Sequence, residues 1–390
     1  MENSKIARFS AGCSAAKLTP TRDVFLGGYA DKDDEINLCV YPDHILGDVY
    51  VRTLVLEGEG QRALFVCVDA CVINEGRNVY DGFRQDLALA ANTQRDRVFI
   101  INTHNHQSHK YLQEPETEII LQSVRDAVAD LEPCTGEYLI CKGGPGVCRR
   151  PRYGVAPDLP YDNTVTLLKL LRESGEEKAL IINYPLHNTG FGNGTIPNWK
   201  YMSPELMGFA LMKLEQMGRT PFFFDGFYGA SGPNFSGSPT ADHDTIRKTG
   251  EDFALWLAAR EGYQPVEGEG VSFLHWVRRI PVNPVYGPDA GENMEFFGCC
   301  FGKLAFLGVN CEPFSELGAE IRKTSAFEPT LFLGNANGFL GYIPVSSAFD
   351  DERELECKLN KTPFTKGIAE QFTDLCRQFL SALADVEENS

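Results

Sequence analysis

Four apolar residues, Val98 to Ile101, run into Asn102-Thr103-His104-Asn105-His106-Gln107-Ser108-His109. A short run rich in β-branched side chains marks a buried strand, and no other stretch constrains the chain as much. Three of the chain's seven histidines fall within six residues just past it. In extended backbone, residues i and i+2 face the same side, so His104 and His106 are expected to project together. Ligands bind at strand ends in α/β proteins, and neutral imidazole is the commonest metal ligand. Any one of these histidines alone reads as a loop residue; the cluster at a strand exit points to a metal or catalytic site.

The flanking sequence alternates in type. Val49 to Leu56 and Ala63 to Val72 read as strands, the second with Asp69 as a charge inside it. A buried carboxylate needs a partner, so Asp69 is either structural or a support for the site. Arg77 to Ala91 and Glu116 to Leu131 have helical spacing, and Glu137 to Cys141 reads as another strand. This order predicts an α/β fold of layered mixed β-sheets with flanking helices. With no repeat and no low-complexity linker, residues 1–390 are expected to form one domain.

Further strands exit into polar residues. The hairpin Thr164 to Leu171 and Lys178 to Tyr184 opens into Pro185-Leu186-His187-Asn188-Thr189-Gly190. Pro221 to Phe227 opens into a glycine turn holding Ser231, and Lys303 to Val309 into Asn310-Cys311-Glu312. Thr330 to Leu333 leads to a Gly/Asn turn carrying Tyr342. Two histidines, a carboxylate and one more oxygen ligand make a catalytic zinc set with a place left for water. Between the hairpin and the preceding strand, Lys142 to Asp162 holds Arg149, Arg150 and Arg152. These could bind an anionic group or form a solvated face. Gly27-Gly28 reads as a turn able to approach a ligand. Helices are expected over Ser203 to Met217, with Ser203 as N-cap, and over Asp244 to Arg260, Ser315 to Lys323 and Thr365 to Leu383.

Composition removes some functions. With 36 Lys and Arg against 54 Asp and Glu, the formal net charge is −18. Nucleic-acid binding is driven by cations on phosphates, so no nucleic-acid partner is expected. Neither a secretory signal nor a bilayer-spanning run is present; a cytoplasmic protein without stable membrane insertion is expected, with a small molecule as its partner. The twelve cysteines include no CxxC pair. Cys67, Cys71, Cys141 and Cys311 lie in or beside apolar runs, where cysteine acts as a small hydrophobe. Cys67/Cys71 and Cys299-Cys300 are the nearest to ligand pairs, and each lacks a matching second pair.

These segments, taken in order, resemble the neutral/alkaline (non-lysosomal) ceramidase family. The resemblance runs from Ala11-Gly12, Leu18-Thr19-Pro20 and Gly28-Tyr29-Ala30 through Val51-Arg52-Thr53-Leu54-Val55 to the site segments. Those are Thr103-His104-Asn105-His106, Leu186-His187-Asn188-Thr189, Cys311-Glu312-Pro313-Phe314-Ser315 and Ala336-Asn337-Gly338-Phe339-Leu340-Gly341-Tyr342. The resemblance implies a zinc amidase with Zn²⁺ on His104, His187, Glu312 and Tyr342. It implies catalytic roles for His106, Tyr342, Arg149 and Ser231, with Arg150 adjacent in register to Arg149. The family's reactive-centre serine falls in register on Gly232, one place from Ser231. Its second tyrosine falls in Arg353-Glu354-Leu355-Glu356. These departures lie in substrate-contacting parts, so a small soluble substrate is expected rather than ceramide. An ester or lactone would use the same machinery, and a non-catalytic binding protein is the alternative.

Overall fold

A computed structural model describes residues 5–27, 38–73, 82–144, 147–149, 156–191, 200–238, 240–354, 357–358 and 361–388. Arg150, Arg152, Gly28 and part of the expected helix from Arg77 lie outside these residues. In chain order the strands begin with β1 (Arg8–Lys17), β2 (Val24–Phe25), β3 (Leu38–Cys39), β4 (Tyr50–Gly58), β5 (Gln61–Val68), β6 (Val98–Asn102) and β7 (Glu132–Lys142). Then come β8 (Val147–Arg149), β9 (Thr164–Arg172), β10 (Glu177–Tyr184), β11 (Pro221–Asp225), β12 (Ser231–Pro233) and β13 (Gln264–Pro265). The last are β14 (Val271–Pro281), β15 (Gly291–Phe301), β16 (Leu304–Val309), β17 (Glu312–Pro313), β18 (Thr330–Leu333) and β19 (Tyr342–Ile343). The helices are α1 (Phe83–Ala90), α2 (Glu114–Ala129), α3 (Glu205–Gln216), α4 (His243–Ala258), α5 (Ser315–Arg322) and α6 (Ile368–Glu388).

Two mixed sheets stack face to face. The larger has the order β11-β10-β9-β7-β1-β4-β5-β6, with β13 also on β7; the smaller has the order β14-β15-β16-β18. Side-chain alternation assigns each face. On β5, Ala63, Phe65 and Cys67 enter the core between the sheets, while Leu64, Val66 and Val68 pack toward α1 and α2. On β10, Ala179 and Ile181 face the same inter-sheet core, and Leu180 and Ile182 face α3 and α4. On β16, Leu304 and Phe306 point inward, and Ala305, Leu307 and Val309 meet α5 and α6. The result is four layers, helix–sheet–sheet–helix. Phe65 stacks on Phe99 at 4.8 Å and meets Phe306 at 4.7 Å at their centre. The layered α/β architecture expected from the sequence is the one the chain adopts.

Some boundaries differ for local reasons. The sequence reading contains no strand at β15, whose Gly298 interrupts the apolar pattern. That glycine makes room for α6: a Cβ there would lie 2.5 Å from the Phe379 ring. Helix α3 starts at Glu205, after Pro204, and Ser203 Oγ accepts the Glu205 N–H at 3.3 Å. Helix α2 carries a capping box, with Glu116 returning to the Gln113 N–H.

Three parallel pairs, β5–β6, β10–β11 and β16–β18, set the site. Their carboxyl ends converge and are tied together beyond the ladders. Gly226 N–H donates to Tyr184 O, Gly334 N–H to Asp225 O, and Asn337 N–H to Ile100 O. Asn102 Nδ2 donates to Asn335 O at 3.3 Å.

Candidate metal centre

Each converging strand delivers a polar side chain within three residues of its end. β6 supplies His104, β10 supplies His187, β11 supplies Tyr228, β16 supplies Glu312 and β18 supplies Asn335. His104, His187 and Glu312 are buried, and one ligand atom of each lies within 4.8 Å of the other two. His187 Nδ1 stands 3.2 Å from Glu312 Oε1. Two imidazole nitrogens and a carboxylate oxygen, buried and close together, are donors that suit zinc. Tyr342 is brought beside Glu312 as its register partner in the two-stranded β17–β19 pair.

His106 arrives differently from the expectation. Strand β6 ends at Asn102, and His104 adopts a left-handed φ of 52°, so extended alternation does not operate there. A tight turn instead brings His106 Nε2 to 3.1 Å from His104 Nε2. A non-glycine residue held in this region costs about 1–3 kcal/mol, and such strain clusters at functional sites. His109 belongs elsewhere: it is buried, its Nε2 bonds Leu18 O at 2.8 Å, and burial pushes its pKa below the usual range.

Three supporting residues are not visible as such in the sequence. The Tyr228 hydroxyl lies 2.9 Å from His104 Nδ1 and accepts an N–H from Asn335 Nδ2 at 2.7 Å. Asn335 Nδ2 also reaches Glu312 Oε2 at 3.2 Å. With Nδ1–H of His104 donating to the phenol, Nε2 presents its lone pair to the centre. Burial, with Glu312 nearby, pushes Tyr228 well above the usual tyrosine range. The same two causes raise Asp225, wholly buried at the end of β11. The only sequence signal for these residues is their place at strand exits.

Asp69 lies in a buried ion group just past the end of β5. It accepts the Tyr50 N–H at 2.9 Å and faces Arg52 at 3.6 Å, while Arg52 also holds Glu215 at 2.8 Å. Gly27 spends its N–H on Ser108 O. The eleven cysteines with described side chains are free thiols. Cys67 donates to Phe223 O, and Cys299 and Cys300 pack into opposite cores.

Ser231 and Arg149 are cross-strand neighbours on β12 and β8. The Ser231 carbonyl accepts the His187 N–H at 3.0 Å, whereas its hydroxyl turns to Ser315 Oγ at 2.8 Å. The Arg149 guanidinium is occupied by Glu316, by Glu354 Oε1 at 2.6 Å and by Pro160 O at 3.1 Å. It also lies 4.5 Å from the Phe314 ring centroid.

Gly229 locks the Glu312 segment in place. Its N–H donates to Pro313 O at 2.8 Å, and a Cβ would meet Glu312 O at 2.7 Å and the Phe314 ring at 2.9 Å. Gly229→Ala is expected to cost about 1–3 kcal/mol by overpacking and to weaken metal binding by displacing Glu312. Thermal unfolding with and without metal checks this. An unchanged Tm and unchanged metal content would show that the segment yields freely.

The fold is similar to that of neutral ceramidase. The neutral ceramidase from Pseudomonas aeruginosa superposes with a TM-score of 0.74 at 16% identity, covering 98% of this chain and 75% of that one. A ceramidase complexed with C2 gives a TM-score of 0.75 at 16% identity, covering 98% and 76%. No family model and no curated protein sequence matches the chain. Among the described residues, no helix is long and apolar enough to cross a membrane.

Proposed function

We propose that the chain is a zinc-dependent, ceramidase-like hydrolase that cleaves the amide bond of a small molecule. The observation that carries this is the buried His104–His187–Glu312 donor group at the convergence of three parallel strand pairs. The likeness of fold to two solved ceramidase structures supports it. His104, His187 and Glu312 would hold the metal, with Tyr342, the register partner of Glu312, as the fourth ligand. Bound zinc would supply Lewis acidity there, lowering the pKa of water toward about 7 and polarising the carbonyl.

The chain's own residues do the rest. His106, half-buried with Nε2 beside His104, takes the proton of the attacking water at Nε2 and returns it to the leaving nitrogen as the C–N bond breaks. Tyr228 and Asn335 hold His104 and Glu312 in orientation, so that neither reorganises during turnover. The strand ends close the back of the site to water, with Phe314, Ala230 and Ala348 packed on Tyr342.

A panel of small N-acyl amides tests the reading. Chelation by EDTA is expected to abolish turnover, and about one equivalent of zinc to restore it. Turnover that persists in protein shown by elemental analysis to be metal-free would overturn it.

A further inference from the structure

The exits of β5 and β6 run side by side. Thr103 N–H donates to Val68 O at 3.0 Å and Asn105 N–H to Ala70 O at 3.1 Å. This extension of the parallel ladder carries Cys71, three residues past β5, to the histidines. One ligand atom each of Cys71, His104 and His106 lies within 4.8 Å of the other two. Two donor groups therefore intersect at His104: the carboxylate-bearing group with His187 and Glu312, and a thiol-bearing group with Cys71 and His106.

We propose that Cys71, His104 and His106 form a second, competing metal position that takes a thiophilic divalent ion. The inference rests on the metal-centre reading above. His104 Nδ1 is turned to the Tyr228 hydroxyl at 2.9 Å, so only Nε2 is left for an ion, and one nitrogen lone pair serves one ion. The two positions exclude each other. Zinc accepts imidazole, carboxylate and thiolate, whereas the softer cadmium gains most from the thiolate, so cadmium favours the Cys71 position over the carboxylate-bearing one. Binding displaces the Cys71 thiol proton to solvent. Cys71 and His106 are each less buried as residues than His187 and Glu312. An ion held there empties the hydrolytic position and takes up the His106 nitrogen that moves the proton. Inhibition by soft metals would be built into the centre.

Cadmium alone is the probe. Metal-free protein titrated with Cd²⁺ is expected to develop a near-ultraviolet sulfur-to-metal absorption that saturates at about one equivalent. Cd²⁺ should also protect Cys71 from alkylation, read on the wild type by peptide mapping. In Cys71→Ser the absorption should vanish, and cadmium inhibition of the zinc enzyme should weaken by about tenfold or more. Bound cadmium without the absorption, an absorption that persists in Cys71→Ser, or Cys71 alkylated at the same rate with and without Cd²⁺ would each overturn the inference and leave the hydrolase reading intact. Failure to bind either zinc or cadmium would overturn both.

Discussion

Replacing His187 by alanine is expected to empty the metal site and to lower kcat/KM by about 10³-fold or more, several kcal/mol at about 1.4 kcal/mol per decade. His187 is one of three buried donors. Its backbone is fixed by donation to Ser231 O, and that of Glu312 by donation to Gly341 O at 3.0 Å. Neither neighbouring strand end can therefore close in to replace the lost nitrogen. Removing the imidazole also leaves Glu312 Oε1 without the group 3.2 Å away. Elemental analysis and thermal unfolding separate loss of metal from loss of fold. At 100 times the dissociation constant, a metal adds about 2.7 kcal/mol to stability, so zinc should raise the Tm of the wild type and leave that of His187→Ala unmoved. A variant that keeps its zinc and full turnover would refute the assignment.

What could be read from the sequence follows from how local each signal is. A β-branched run such as Val98 to Ile101 declares itself, and so does the strand–helix alternation around it. That was enough for the layered α/β architecture. Strand β15 was not legible, because Gly298 satisfies α6 rather than the strand's own pattern. The positions of His104, His187 and Glu312 at strand exits were legible because each follows an apolar run. Their meeting was not, since it depends on how three separate parallel pairs, β5–β6, β10–β11 and β16–β18, converge at their carboxyl ends.

The supporting residues were hidden for the same reason. Tyr228 looks like the end of an aromatic strand, and nothing local says that its hydroxyl meets His104. In the sequence Cys71 stands four residues from Cys67, the spacing of a candidate ligand pair. In the structure, strand alternation sends Cys67 into the inter-sheet core, and the strand exit sends Cys71 to the histidines. His106 reaches His104 through a left-handed turn rather than through the alternation that first grouped them. Here the right pairing had a different physical cause.

Arg149 shows how far a resemblance and a structure can diverge in what they ask of one residue. By resemblance it is a catalytic contact; here Arg149 and Glu354 are each 1% exposed, and Glu316 joins them. Removing one member of such a group leaves uncompensated buried charge, so Arg149→Ala is expected to cost about 3–5 kcal/mol of stability at pH 7. The pH dependence follows from Glu316, whose carboxyl burial holds above the usual range even against the pull of Arg149. Without the arginine it should rise further. A carboxyl whose folded-state pKa exceeds its unfolded value binds more protons in the folded state, so its contribution is full below the unfolded value and is lost as pH rises through the folded one. The penalty of Arg149→Ala should therefore shrink as the pH is lowered toward the ordinary glutamate range. Urea unfolding of both proteins at pH 7 and at pH 5 measures it. A penalty that is the same at both values, or stability unchanged while kcat/KM collapses, would return Arg149 to the substrate and take the buried ion group out of the account.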